Sequence, residues 1–597
     1  MLDASLAAAA AHALHPYLPE AAGLTLADVA DALAAPPDPT MGDLAFPCFK
    51  LAKALRKGPP QISADLAARI TAGLAEQPGI IARATAAGPY VNLHLDLGQA
   101  AALVLLPLVH HDFHAPPPTG TRVMIEYSQP NTHKAFHVGH LRNLCLGDAL
   151  VRLLRADGDE VIAANYLGDV GAHIAKCLWW YLDRLGAPEA PAEHRGEWLG
   201  EVYSAASNQL ELWDEQAKAG DPAAATALAA ARARTTQLLQ QLEARDPDLL
   251  QIWSRTRQWS LDDFAEIYAW LGVHFDRIFY ESEVDEPGLH LVDEYLQKGT
   301  FIVSEGAVGV VNDEIKHMPF FMLRKRDGTG LYATKDLALA RLKFEEYRID
   351  RSIYVVDVRQ SDHFRHVFLT LKKMGFAQAE RCQHVPYEMV ELPDGPMATR
   401  KGNVILFRSL RQQMTAHIRS EYLDNFKASW PESEIAATAD TLAISAIKYG
   451  MLARDVNQKI VFDMSAWLKL IGNTGPYLEY THARARSILD KCAEVGKTLQ
   501  PDPLATAALA EPSERELVLA LDRLPASVHH AAQQLRPALL CTYLFELAQA
   551  FNAFVAACPV KPSEGPQLQA RLLLVTATAN ALQHLLGLLG IPAVRRM

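Results

Sequence analysis

One stretch restricts the fold more than any other: residues 121–164 read as strand, polar loop, helix and strand. Val123-Met124-Ile125 is a short apolar strand core. After the loop, apolar residues recur with a helical period at Leu141, Leu144, Leu150, Val151 and Leu154, and Gly158 closes the run. Val161-Ile162-Ala163-Ala164 is the next strand. This is a β-α-β unit, the building block of a doubly wound, Rossmann-like parallel sheet. Strand signals return at Ile353-Tyr354-Val355-Val356 and at Tyr387-Glu388-Met389-Val390. The region between, about 190–300, is largely helical and reads as material inserted between two sheet halves.

The flanks differ from this α/β core. Residues 1–114 mix helical patterns with one strand signal, Tyr90-Val91-Asn92-Leu93-His94-Leu95, which suggests an α+β domain, and 115-APPPTG-120 punctuates its end. The α/β domain then spans 115–409. From 410 to 597 long helical patterns dominate, such as 536-RPALLCTYLFELAQAFNAFV-555, so an all-α helix bundle is expected.

Composition excludes several classes. No uninterrupted apolar stretch reaches the roughly 20 residues of a membrane span, and the Ala-rich start lacks a basic leader region, so a cytoplasmic protein without membrane contact is expected. Seven cysteines, an odd number without C-x-x-C spacing, argue against a disulfide frame and against zinc, leaving reduced, buried thiols. The net charge of −12 is unevenly spread: 441–597 carries +3 and 1–440 carries −15. The C-terminal part is therefore the less repulsive end for a polyanion. No G-x-x-x-x-G-K-[ST] occurs, which excludes a P-loop ATPase.

The sharpest local motif is 137-HVGH-140, placed between the first strand and its helix. Free N–H groups and the macrodipole at a helix start favour anions. His137 and His140 can donate to phosphate oxygens there, while Gly139 lets a nucleotide approach the backbone. The alternative is a pair of helix-capping histidines.

The surrounding segment 126-EYSQPNTHKAFHVGHLRN-143 resembles the signature of class I aminoacyl-tRNA synthetases, in the form found in arginyl-tRNA synthetases. Further similar elements follow in the same order: 324-RKRDGTGLYATKDLALA-340, 354-YVVDVRQSDHF-364, 397-MATRKGN-403 and 472-GNTGPYLEYTHARARSIL-489. The N-terminal 88-GPYVNLHL-95 and the terminal 590-GIPAVRRM-597 extend the resemblance over nearly the whole chain.

That resemblance implies ATP-dependent ligation of L-arginine to tRNA(Arg) through an arginyl-adenylate, with AMP and pyrophosphate released. His137, Gly139, His140, Met397 and Lys401 would bind ATP, with Mg²⁺ leaving beside pyrophosphate and no zinc. Glu126, Ser128, Asn131, Tyr332, Asp336 and Gln360 would bind arginine, with Asp336 on the guanidinium, the Tyr332 hydroxyl beside it, and Asn131 and Gln360 at the amino acid head group. Tyr332 and Asp336 stand four apart, on one face if that stretch is helical. Thr399 replaces the second lysine of the usual 397–403 loop. Lys134, three residues before His137, would compensate, with Lys401 as a second candidate. Val170 stands in 165-NYLGDVG-171 where many relatives have Trp. Tyr90 and Asn92 match positions used near the tRNA elbow. Tyr477, Tyr480, His482, Arg484 and Arg486 lie in the segment similar to the anticodon-binding domain. The family suggests a monomer that needs tRNA before it activates arginine. The rival readings are a class I synthetase for another amino acid, such as glutamate or cysteine, and a non-catalytic tRNA-binding paralogue.

Overall fold

The computed structural model describes residues 5–76, 79–393, 395–396 and 404–597. The N-terminal part forms a three-stranded antiparallel sheet of order β1-β3-β2, from β1 (Leu44–Pro47), β2 (Ile81–Ala87) and β3 (Tyr90–Leu95). Gly88, at φ 56°, makes the tight β2–β3 turn that a side chain would strain. The helix Pro59–Glu76 packs over this sheet through Leu66 and Ile70.

The expected parallel sheet is present and contains five strands. They are β4 (Arg122–Glu126), β5 (Glu160–Leu167), β6 (Arg277–Tyr280) and, after a small separate sheet, β10 (Arg351–Asp357) and β11 (Cys382–Tyr387). The separate sheet is antiparallel and consists of β7 (Ile302–Ser304), β8 (Ala307–Val311) and β9 (Phe320–Arg324). The parallel order is β11-β10-β4-β5-β6. Counted by appearance in the chain this is 3-2-1-4-5, so the winding direction reverses between β4 and β10. A doubly wound sheet binds ligands in the crevice beyond the C-terminal ends of its strands at that switch point. The helix Val138–Ala156 crosses from β4 to β5. Leu141, Leu144, Leu150, Val151 and Leu154 are all buried, as their spacing requires.

Three expectations change. The helical insertion is three helices, Arg195–Lys218, Pro222–Glu243 and Pro247–Leu271, and it ends before β6 rejoins the sheet. Asp-Pro pairs start the last two: Asp221 and Asp246 accept backbone N–H bonds while the proline takes the first helical position. β6 is only four residues long, too short to show an alternating pattern. The expected strand at 387–390 is broken, because β11 ends at Tyr387 and Glu388 N–H turns away to the Val456 carbonyl at 2.8 Å. The chain resumes as β12 (Val390–Leu392), which pairs with β13 (Gly395–Pro396) and, from beyond residue 410, with β14 (Ile460–Val461).

Apart from β14, the described chain from 407 onward is helical, with long helices at Phe407–Ile418, Glu432–Leu452, Gly475–Ala493, Pro537–Ala557 and Gly565–Leu588. Pro537–Ala557 is long and apolar enough to cross a membrane, but Leu540, Leu544, Leu547, Phe551 and Phe554 bury one face of it in this bundle. All seven cysteines are free and buried.

Candidate active site

The loop after β4 turns sharply into the crevice. Ser128, Gln129 and His133 adopt φ of 77°, 49° and 61°, a conformation unfavourable for residues with side chains. Buried amides hold it there. Asn143 Oδ1 accepts Ser128 N–H at 2.7 Å, and Asn165 Oδ1 accepts Gln129 N–H at 2.9 Å. Ser128 Oγ meets the Tyr268 hydroxyl at 2.9 Å. Glu126 is also turned inward: Oε2 pairs with the fully buried Lys343, and Oε1 accepts the Gln129 side-chain amide at 2.8 Å. Ser128 and Glu126 therefore support the loop, and the negative charge expected of Glu126 at the ligand is neutralised inside the fold.

His137 and His140 open the helix, and each makes a bond that fixes its tautomer. Gly139 N–H donates to His137 Nδ1, and His137 N–H donates to His140 Nδ1, both at 3.1 Å. With Nδ1 accepting, the proton sits on Nε2 of both rings. Burial pushes His137 down to about 4 and His140 well below its ordinary value, and the Lys134 charge lowers both further. At neutral pH these are two neutral imidazoles, each with one N–H donor, tilted together with ring centroids 3.9 Å apart. Lys134 also lies 5.2 Å from the Tyr203 ring centre and lowers His173.

The chain that leaves the 397–403 segment returns directly to this motif. Val138 N–H bonds the Ile405 carbonyl at 3.0 Å, and Phe407 N–H bonds the Phe136 carbonyl at 3.1 Å. Met397, Thr399 and Lys401 themselves lie outside the described residues.

A second cluster gathers beside the loop. Asn131 bridges to Gly168 after β5, and a β-carbon at Gly168 would lie 2.2 Å from Asn131 Oδ1 and 3.4 Å from Glu281 Oε1. Glu281 follows β6; burial raises its carboxyl to about 7, against the pull of Lys335 at 3.4 Å. Tyr332 and Asp336 share the first turns of the helix Tyr332–Tyr347, as their spacing requires. Tyr332 is 65% exposed, whereas Asp336 accepts from His363 Nε2 at 2.5 Å. Burial works against the His363 proton, but the Asp336 bond and charge prevail and raise its pKa. Tyr166 has a buried hydroxyl without a hydrogen-bond partner among the described residues, and the charges of Asp336, Glu281 and Glu126 all reach it. An orphaned buried hydroxyl among carboxylates is the kind of group that a bound cation's donors and acceptors complete. Gln360 is exposed at the start of the helix Ser361–Lys373.

Sequence reasoning missed Glu281 and Lys343, which lie in no recognised motif, and gave no part to Lys335, which lies inside the quoted 324–340 segment. It quoted His363 and Gly168 without assigning them a part. Of the two N-terminal candidates, Tyr90 is exposed and packs edge-on to exposed Phe49 at 5.8 Å, whereas Asn92 is 3% exposed and faces the interior. In the C-terminal segment Tyr480 is exposed. Tyr477 and Arg484 are tied to Asn552, Arg486 bonds Asn580 and Gln583, and buried His482 meets the Val594 carbonyl.

A parallel sheet of order 3-2-1-4-5 with an H-x-G-H helix start at its switch point fits the class I aminoacyl-tRNA synthetases, and the family models place the chain in that class. Family models match along the chain: the arginyl-tRNA synthetase N-terminal domain at residues 4–95, the class I (R) catalytic domain at 108–464 and the DALR anticodon-binding domain at 478–597. The arginine–tRNA ligase of Bdellovibrio bacteriovorus is 41% identical over 96% of this chain and 95% of its own length. That of Treponema denticola is 33% identical over 94% of each. The arginyl-tRNA synthetase structure from Thermus thermophilus superposes with a TM-score of 0.76 at 27% identity, covering 95% of this chain and 96% of the other. The chain belongs to the arginyl-tRNA synthetase family, and it joins arginine to tRNA using ATP.

Proposed function

We propose that ATP binds at the His137 end of the crevice and arginine at the Asp336 end. The observation that carries this reading is the pair of neutral histidines whose Nε2–H donors stand at a helix start beyond the sheet's switch point. Donors preorganised in this way stabilise charge as it develops on a phosphate. Lys134 adds a cation on the same side, and Met397 and Lys401 complete the nucleotide site from their loop. Asp336 takes the guanidinium with the Tyr332 hydroxyl beside it. Glu281 is a second carboxylate for that cation, whose arrival would favour its ionised form. Asn131 and Gln360 hold the head group.

The arginine carboxylate attacks the α-phosphate in line and pyrophosphate departs. Mg²⁺ bound with ATP would neutralise phosphate charge at the His137 end of the crevice. The 2′-hydroxyl of the terminal adenosine of tRNA then attacks the carbonyl carbon of the arginyl-adenylate, forming the ester as the acyl–phosphate bond breaks and AMP leaves. Tyr480 and Tyr90, both exposed, are the aromatic surfaces on which RNA bases or riboses would rest. The enzyme works as a cytoplasmic monomer, and its parts divide at about 114 and 409.

Pyrophosphate exchange into ATP, run with each amino acid and with or without tRNA, tests this reading. Exchange with arginine alone is expected, and only when tRNA is present. Asp336→Asn should weaken arginine by about 1.5–3 kcal/mol, the worth of a hydrogen bond to a charged group. An unchanged arginine KM in that variant would remove Asp336 from the site.

A further inference from the structure

We propose that His363 is a positioning residue for arginine: it holds the Asp336 carboxylate by one oxygen so that the other receives the guanidinium. The inference rests on placing the guanidinium at Asp336. A guanidinium recognises a carboxylate through a planar fork of donors, so the rotation of the carboxylate matters as much as its charge. Nothing else among the described residues bonds Asp336; its Oδ2 accepts from His363 Nε2 at 2.5 Å, and Oδ1 remains for a ligand.

The pair also joins two helix starts. Asp336 stands in the first turns of Tyr332–Tyr347, and His363 in the first turn of Ser361–Lys373, three residues after Gln360. One hydrogen bond therefore links the helix that presents Tyr332 and Asp336 to the helix that presents Gln360. The His363 ring is itself held, edge-on to Phe364 at 5.4 Å and to Phe321 at 5.9 Å. Both side chains are largely buried, at 22% exposure for His363 and 17% for Asp336, so water is a poor substitute for the imidazole donor.

The experiment measures KM for arginine, KM for ATP and kcat in pyrophosphate exchange by the full-length enzyme with tRNA. His363→Phe keeps the aromatic packing and removes the donor. His363→Gln places an amide N–H close to where Nε2 stood. Arginine KM should rise about tenfold or more in His363→Phe, while ATP KM and kcat at saturating arginine stay near wild type. His363→Gln should recover most of that loss. His363→Asn, polar but too short to reach Asp336, supplies the same comparison if phenylalanine disturbs the fold. Arginine KM unchanged in the donor-less variants overturns the proposal, as does a parallel loss in both substrates and kcat. Asp336→Asn separates the two levels. If it leaves arginine KM unchanged, the guanidinium assignment fails; if it raises KM while His363→Phe does not, only the positioning role fails.

Discussion

Replacing His137 by asparagine separates the helix capping that the structure shows from the phosphate donation proposed for this residue. His137 Nδ1 caps the helix by accepting Gly139 N–H at 3.1 Å, and Nε2 is left as a donor into the crevice. The Asn Oδ1 stands the same number of bonds from the backbone as Nδ1, so it can keep the cap. It has nothing where Nε2 stood. Losing a cap altogether costs about 0.5–2 kcal/mol of stability. Losing one preorganised donor to a developing oxyanion costs about 10²–10³ in kcat, or about 2.7–4 kcal/mol. His137→Asn should therefore unfold in urea near the wild-type midpoint yet lose two to three orders of magnitude in arginine- and tRNA-dependent pyrophosphate exchange. His137→Ala should show the same rate loss and a lower midpoint as well. There is also a pH signature. His137 is held at about 4 against an ordinary 6.5, so on acidification the unfolded chain takes the proton first. The stability that depends on neutral His137 is complete above about 6.5 and is lost as pH falls towards 4. The asparagine variant lacks that share of the slope. Exchange within threefold of wild type in His137→Asn, with His137→Ala impaired, would show that capping is all this histidine does.

Three further outcomes follow from the same geometry. Lys343→Met strands the buried Glu126 carboxylate and should cost about 3–5 kcal/mol in urea unfolding; adding Glu126→Gln should recover a large part of it. Gly168→Ala sets a β-carbon 2.2 Å from Asn131 Oδ1 and should raise arginine KM about tenfold with little change in the thermal midpoint, the loss expected when one charged hydrogen bond is misdirected. Glu479 is fully buried and its carboxyl is pushed up to about 8 by burial, so the folded chain keeps a proton that the unfolded chain releases above its ordinary 4.5. Wild-type stability from this group therefore falls as pH rises from about 4.5 to 8, and Glu479→Gln, which cannot titrate, should gain on wild type in unfolding at pH 8.5 relative to pH 5.

What the sequence revealed and what it hid divide along a physical line. The β4–helix–β5 unit was legible because apolar spacing encodes burial directly, and all five spaced residues of its helix are in the core. Tyr332 and Asp336 were named through the family resemblance; geometry added only that a spacing of four shares a face in a helix, and the stretch is helical. β6 and β12 were not legible, since strands of four and three residues carry too few alternations to register. Glu126 shows a different limit. A carboxylate in a binding motif looks like a ligand, and only the fold reveals that Lys343, 217 residues away, neutralises it.

Glu281 marks the deeper limit. It stands 113 residues after Gly168, with the whole helical insertion between them, yet their strands β5 and β6 are neighbours in the sheet. No local pattern predicts that pairing; it follows from the strand order. The same holds for the rear of the catalytic helix. Asp148 pairs at 2.8 Å with Lys448, which is fully buried, and a β-carbon at Gly590 would lie 2.4 Å from each partner's charged atom. The helix that begins after His137 thus packs, at Asp148, against the helix Glu432–Leu452 and the Gly590 turn, two segments far apart in the sequence. A buried pair of this kind adds little net stability over an apolar contact, but removing one partner is expensive. It ties the helix Glu432–Leu452 to the histidine-bearing helix across 300 positions of sequence.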